Sequence, residues 1–265
     1  MVNPGWKLGR VHVDKHASGS DHHDARTPDA MKANAKRFYD KVAVRAVPSG
    51  FAVTLDGRDI RTPAKKLLSL PSEALALGIS LEWEKQANAM RPDTMPLMKL
   101  ATTTIDQVPE IRPTMSDSML RCLSADLACF RTAEEPVLAA KEESAFGPLL
   151  RWLAEDADLR LGCTESMALT HPPGAEERAA QLLAEADDWE LAALDSMTSA
   201  CKSLVVALAV GRGRLGAEEA CVAARVAEQH QIDEWGLVEA GHDLDAADLR
   251  VRMGAASAFL RLLGK

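Results

Sequence analysis

Residues 50–58 read Gly-Phe-Ala-Val-Thr-Leu-Asp-Gly-Arg and indicate a β-hairpin near the start of the chain. Phe51, Val53 and Leu55 alternate with smaller or more polar residues, as on a half-buried strand. Asp56-Gly57 is a strong signal for a tight turn, because glycine accepts a positive φ. The stretch therefore predicts a strand that turns back on itself.

Strand signals continue on both sides of this hairpin. Val42 and Val44 alternate before it, residues 58–62 form the returning strand, and Pro63 ends that strand. Residues 67–70 suggest one more short strand before the next proline. We therefore expect a small antiparallel sheet.

After Pro71 the apolar spacing becomes helical, and Ser72 is a good N-cap for a first helix. Two later segments carry specific expectations: residues 163–170 form a short strand, and residues 190–210 form one central buried helix. Two further helices, over about 217–231 and 232–263, end the chain. The predicted class is α+β, with a disordered leader (1–30), a small antiparallel β domain (31–71) and an α-helical domain (72–265).

The composition is typical of a soluble globular protein, with 47% hydrophobic and 26% charged residues in a chain of 265. The net charge is −8 and no basic cluster stands out, which argues against nucleic acid as a partner. The longest apolar run, residues 204–210, falls far short of the roughly 18 residues that cross a bilayer. We therefore expect no membrane insertion.

The five cysteines are odd in number, and no pair has the spacing of a metal finger. Most lie in apolar surroundings, where buried free thiols are common. We expect free thiols and a reducing compartment.

The first thirty residues contain four of the seven histidines and little apolar periodicity. Asp21-His22-His23-Asp24 could bind a metal ion. The alternative is an unstructured polar tail, in which fixing the ligand geometry would cost much conformational entropy. The aspartates also argue against a mitochondrial presequence. A bacterial cytoplasm is therefore favoured, or the mitochondrial matrix if the source is eukaryotic.

The sequence contains no phosphate-binding loop, dinucleotide fingerprint, nucleophile elbow or His-Glu-x-x-His motif. Glu239, His242 and Asp243 could in principle perform acid–base chemistry or hold a metal, or they could form a charged helix face. Cys201-Lys202-Ser203 could be a nucleophile site, but its apolar neighbours favour packing.

An ordered series of short motifs resembles the assembly chaperones that bind the alpha subunit of the F-type ATP synthase head. The motifs, in chain order, are Arg37-Phe38-Tyr39, residues 50–58, Ile60 to Pro63, Glu82-Trp83 with Gln86, Met95-Pro96-Leu97, Ile105-Asp106, Pro148 to Trp152, residues 203–209, and Gln231 to Asp243. Each motif is weak alone, but the ordered set is specific.

The resemblance implies a small β domain before a larger helical domain, which agrees with the order read from the residues. It also implies a chaperone that binds the unassembled alpha subunit, prevents its aggregation, needs no cofactor and catalyses no reaction. An enzyme using Glu239, His242 and Asp243, or a structural subunit of a larger complex, are the alternative interpretations.

The best candidate for the client-binding site is the acidic segment near the C-terminus. Glu239 and Asp243 are four residues apart, so on a helix they share a face and repel each other. An arginine or lysine of the client would neutralise this repulsion. The complete set of predicted client-binding residues is Glu239, Asp243, Trp235, His242, Arg58 and Arg61. Trp83 and Trp152 are expected to anchor the core.

Overall fold

The computed structural model describes residues 35–236 and 242–264, without the side chains of residues 242 and 243. A four-stranded antiparallel sheet comes first and helices dominate the rest, which confirms the predicted α+β class. The chain divides into two compact units between Asp106 and Gln107. The unit that holds the sheet therefore also contains two helices beyond residue 71, and the predicted leader lies outside the described residues.

The sheet is organised around its second strand, β2. The strands are β1 (Val42–Val47), β2 (Gly50–Leu55), β3 (Arg58–Asp59) and β4 (Ser69–Leu70). β2 pairs with each of the other three, and its Ala52 and Val53 are fully buried. Asp56 and Gly57 have φ values of 49° and 79°, which is the two-residue turn predicted for this hairpin.

Two helices complete the first unit: α1 (Glu73–Glu84) and α2 (Pro96–Asp106). The predicted N-cap is confirmed, because the Ser72 hydroxyl accepts the Leu75 N–H at 3.1 Å. α1 packs against β1 and β2 through a fully buried face that includes Ile79 and Trp83. This apolar contact holds the sheet and the helix together.

The second unit is helical and is built around α7. Its helices are α3 (Val108–Leu123), α4 (Pro136–Asp156), α5 (Ala175–Glu185), α6 (Asp188–Cys201), α7 (Leu204–Gly211), α8 (Ala217–Ala224), α9 (Val226–Trp235) and α10 (His242–Leu263). Every residue of α7 from Leu204 to Val210 is buried. Because α7 contacts α3, α4, α6, α8 and α10, it is the centre of this unit's core.

The prediction of one helix over residues 190–210 is wrong, because the segment is divided between α6 and α7. Lys202 adopts a left-handed conformation with φ 57°, which ends α6. The Ser203 hydroxyl then accepts the Val206 N–H at 3.0 Å and starts α7. Apolar composition alone does not reveal this break, since both helices are buried.

A buried carboxylate from a distant segment fixes the position of that break. Asp126 is fully buried and accepts the Ser203 hydroxyl at 2.5 Å and the Val205 N–H at 3.1 Å. It also accepts the Ala128 N–H at 3.0 Å, which starts a short 3-10 turn over Leu127–Cys129. One side chain therefore satisfies the first turns of two helical segments, whose N–H groups lack partners within the helix.

Two further boundaries differ from the predictions. Residues 163–170 contain no strand, and only Thr164 forms an isolated bridge, with Phe130. The helix boundaries near the C-terminus also differ, because α8 ends before Arg225 and α9 ends at Trp235.

No helix in the described ranges is long and apolar enough to cross a membrane.

Replacing Asp126 with alanine should cost about 3–5 kcal/mol of unfolding free energy, because the Ser203 hydroxyl and two N–H groups would stay buried without partners. Urea denaturation measures the loss. Asp117→Ala, at an exposed position of α3, is the matched control and should change stability by less than about 0.5 kcal/mol. A similar, small effect of both variants would contradict the assigned role.

Candidate client-binding surface

The structure assigns the predicted client-binding residues to different compact units. Arg58 and Arg61 belong to the sheet unit, and Trp235 ends α9 in the helical unit. Glu239 lies outside the described residues, while residues 242 and 243 begin α10 with side chains outside the description. The expectation that Glu239 and Asp243 share one helix face is therefore untested.

The two arginines of the sheet unit are in different situations. Arg58 is exposed beside the hairpin turn and forms no ion pair with any described residue. Arg61 is half-buried, and its Nη1 donates to the Lys65 carbonyl at 2.9 Å. The Arg61 side chain thus stabilises the loop between residues 61 and 65, whereas the Arg58 side chain is available for an external contact.

Trp235 is the exposed end of a helix that is attached by polar contacts. Within α9 the only buried residue is His230, which lies between Glu135, the residue that precedes α4, and Lys141 of α4. Its Nε2 is 2.9 Å from the Glu135 carboxylate and its Nδ1 is 3.4 Å from Lys141 Nζ. Because lysine can only donate, Nδ1 accepts and the Nε2–H donates to Glu135.

A second contact strengthens this attachment. Lys141 Nζ also donates to the Asp233 carboxylate at 3.1 Å. Hydrogen bonds from Gln229 and Lys141 lower the pKa of Asp233 below its ordinary value, so Asp233 is charged at neutral pH. α9 is thus positioned by charge, and it contributes little apolar surface to the core.

Apolar side chains are exposed on each of the last three helices. The most exposed are Val222 of α8 (66%), Trp235 of α9 (72%) and Leu244 of α10 (76%). Large exposed apolar groups are a common feature of interaction surfaces. Trp235 was among the predicted residues and Leu244 was not, although a leucine between two aspartates in a helical segment could have revealed it.

Acidic residues accompany these apolar groups. Glu234 and Asp245 are exposed and form no ion pair with a described residue. Near them in the sequence, Asp248 has only a loose pairing with Arg252, at 3.7 Å. We call the exposed apolar and acidic groups of α8, α9 and α10 the C-terminal surface, a set defined by exposure and by position in the chain; its members are Val222, Glu234, Trp235, Leu244, Asp245 and Asp248.

Several motif residues in the sheet unit have structural roles. Arg37 donates to the Tyr39 carbonyl at 3.0 Å and to the Gln86 carbonyl at 2.6 Å. The Tyr39 hydroxyl donates to the Trp83 carbonyl at 2.7 Å. Trp83 itself is 1% exposed, which confirms it as a core anchor.

Trp152 differs from that prediction, because it is only half-buried. It lines a cleft of about 320 Å³ in the helical unit, together with Asp156, Arg178 and Arg212. The tryptophan therefore forms a wall of this cleft instead of filling the interior.

The structure also bears on the alternative chemical sites. Cys201 is buried, and burial raises the pKa of its thiol to about 12, so it holds almost no thiolate at neutral pH. This confirms the packing interpretation of Cys201-Lys202-Ser203. Among the described residues, no group of three or more histidine, cysteine, aspartate or glutamate side chains could hold a metal ion.

Comparison with known proteins finds that this chain is similar to chaperones. A family model described as ATP12 chaperone protein matches residues 36–154. Protein atp12, mitochondrial, from Schizosaccharomyces pombe is 26% identical over 241 residues, which cover 86% of this chain and 83% of that protein.

Two solved bacterial structures are similar to both units. The crystal structure of Atp12 from Paracoccus denitrificans superposes with a TM-score of 0.82 at 30% identity, covering 86% of this chain and 98% of that one. The Atu1473 protein of Agrobacterium tumefaciens, a putative chaperone, has a TM-score of 0.80 at 34% identity, with 86% of each chain covered.

Glu82, another motif residue, makes the stability of the sheet unit depend on pH. Its carboxylate accepts the Leu97 and Met98 N–H groups at 2.7 and 2.8 Å and so begins α2. Burial nevertheless raises its pKa from 4.5 to about 7. The folded state binds the Glu82 proton more tightly than the unfolded state does. Protonation of Glu82 therefore contributes fully to the unfolding free energy below pH 4.5, and this contribution is lost as the pH rises through 7.

We expect the unfolding free energy to fall by on the order of 2 kcal/mol between about pH 5 and 8 through Glu82 alone. Glu82→Gln should remove this part of the slope, and denaturant unfolding at several pH values measures it. Glu84→Gln, at an exposed position of the same helix, should leave the slope unchanged. An identical slope in the wild type and Glu82→Gln would contradict the explanation.

Proposed function

Because this chain belongs to the ATP12 chaperone family and therefore has a role in ATP synthase assembly, we propose that it binds the unassembled alpha subunit and prevents its aggregation. Assembly chaperones of this kind are not enzymes. The alpha subunit is the partner that the motif series implies. The observation that supports a binding role most directly is the C-terminal surface.

The composition of that surface suits reversible binding. Fully burying a side chain such as leucine or valine contributes roughly 1.5–3 kcal/mol, and Val222, Trp235 and Leu244 are mostly exposed. Association itself costs several kcal/mol, so a few such contacts give only moderate affinity. A chaperone needs that limit, because its client must finally pass to the assembly partner.

The acidic groups supply orientation and a faster encounter. Glu234 and Asp245 are exposed on either side of the segment that contains Glu239. A client segment carrying arginine or lysine beside apolar residues would complement both kinds of group. We propose that Glu239, His242 and Asp243 take part in this contact, with Arg58 as a further contact from the sheet unit.

The proposed location is a bacterial cytoplasm. The bacterial relatives are 30% and 34% identical, while the S. pombe relative, a mitochondrial protein, is 26% identical. A eukaryotic counterpart would act in the mitochondrial matrix.

Co-expression with the alpha subunit tests the proposed function directly. The soluble fraction of the alpha subunit should rise when this chain is present, and a complex of the two should elute together in gel filtration. Recovery of this chain in the finished synthase at fixed stoichiometry would instead identify a structural subunit. An alpha subunit that aggregates equally with and without this chain would overturn the proposal.

Trp235→Ala should weaken binding of the alpha subunit by roughly 30-fold, since a tryptophan at the centre of an interface commonly contributes about 2 kcal/mol. The fold should be unaffected, because the side chain is 72% exposed. Isothermal titration calorimetry and circular dichroism measure the two effects. Met167→Ala, at a fully exposed apolar position between α4 and α5, should bind normally.

Glu239→Lys should preserve the fold and abolish retention of the alpha subunit, because it replaces attraction to a cationic client with repulsion. Wild-type binding should also weaken with added salt. Glu155→Lys makes the same charge change at an exposed position of α4 and should bind normally. Equal pull-down of the alpha subunit by both variants would remove Glu239 from the site.

A further inference from the structure

Two of the five cysteines are brought opposite each other where the turn after α3 meets the segment between α4 and α5. The Thr164 N–H donates to the Cys129 carbonyl, and the Arg131 N–H donates to the Thr164 carbonyl, both at 2.9 Å. These bonds form a parallel bridge that sets Phe130 opposite Thr164. One residue earlier on each side, the backbones of Cys129 and Cys163 are therefore adjacent.

The spacing of such a bridge is compatible with a disulfide. Paired backbones lie about 4.8 Å apart, and disulfides join residues whose Cα atoms are roughly 4.4–6.8 Å apart. The pair thus needs little backbone movement to form a bond.

The two thiols differ in their access to solvent. Cys163 is exposed, whereas Cys129 is fully buried. The pKa of Cys129 is raised to about 12, mainly by burial and to a lesser extent by Asp126 and the Cys163 thiol, while Arg131 opposes the rise.

We propose that Cys129 and Cys163 form a dithiol modification site, at which the exposed Cys163 meets a small disulfide oxidant and Cys129 then closes an intramolecular disulfide. In the first step the Cys163 thiolate attacks the oxidant, forms a mixed disulfide and releases one thiolate. In the second step Cys129 loses its proton to solvent, attacks the Cys163 sulfur and releases the second thiolate. Two protein thiols are oxidised and one disulfide oxidant is reduced to two thiols.

This bond would add a covalent link to the hydrogen bonds that already join these two segments. It would link the segment after α4 to the 3-10 turn that Asp126 starts. Because the closed loop contains all of α4, the bond restricts the unfolded chain substantially. Oxidation should therefore raise the melting temperature, by roughly 5 °C.

The charged groups of α4 that face this segment are already engaged. Glu142 accepts the Thr132 N–H at 2.8 Å, and Glu143 pairs with Arg131 at 3.0 Å. Neither supplies a base to Cys129. Proton loss from Cys129 therefore limits the second step, and its rate should rise about tenfold per pH unit below the thiol pKa.

The other thiols provide an internal comparison. Cys122 contributes to the raised pKa of Cys201, so these two thiols are a second pair to compare. Cys201 is 3% exposed and Cys122 is half-buried, so an oxidant reaches this pair less readily than Cys163. Cys221 is buried on α8.

The test treats the full-length chain with oxidised glutathione and follows intact mass and disulfide-linked peptides. At about pH 7 a glutathione adduct should collect on Cys163, and at about pH 9 it should convert to a Cys129–Cys163 link. Cys129→Ala should keep the adduct at both pH values. Cys221→Ala, the matched control, should form the link like the wild type.

Other outcomes overturn the proposal. They are an adduct on Cys163 that never converts in the wild type at high pH, a link between Cys122 and Cys201 in its place, or a link only between two chains. Since the decisive peptides come from the wild-type chain, the result does not depend on whether a variant folds.

Discussion

The buried carboxylate of Asp126 is the interaction on which the helical unit depends. It accepts hydrogen bonds from Ser203, Val205 and Ala128, and so joins the turn after α3 to the start of α7. Burial raises the pKa of this carboxyl, while the hydrogen bonds oppose that change. Because α7 is the centre of the core, this contact fixes the position of the helix against which the surrounding helices pack.

The sheet unit also uses carboxylates as hydrogen-bond acceptors, at exposed and at buried positions. Asp56 accepts the Asp40 and Lys41 N–H groups, and Asp106 accepts the Thr62 hydroxyl at 2.6 Å. Glu82 begins α2 in a similar way. In a small unit with a limited apolar core, carboxylates that bind backbone N–H groups hold loops and helix ends in place, which accounts for many of the motif residues.

The attachment of α9 is of a different kind and suits a surface that must bind and release. His230 and Asp233 connect it to α4 through polar groups, while Trp235 remains outside the core. Polar attachment at a surface contributes little stability, so such a helix can adjust at small cost. For the client-binding role that we propose, such adjustability would help the helix to accommodate a client and later release it.

The sequence by itself determined the hairpin at Asp56-Gly57, the α+β order, the family and the prominence of Trp235, since turn chemistry and apolar period are local properties. Only the tertiary structure decided the break at Lys202, because a carboxylate distant in sequence satisfies the new helix end. It also revealed the exposure of Leu244 and brought Cys129 opposite Cys163. Burial and register arise between segments distant in sequence, and no local pattern carries them.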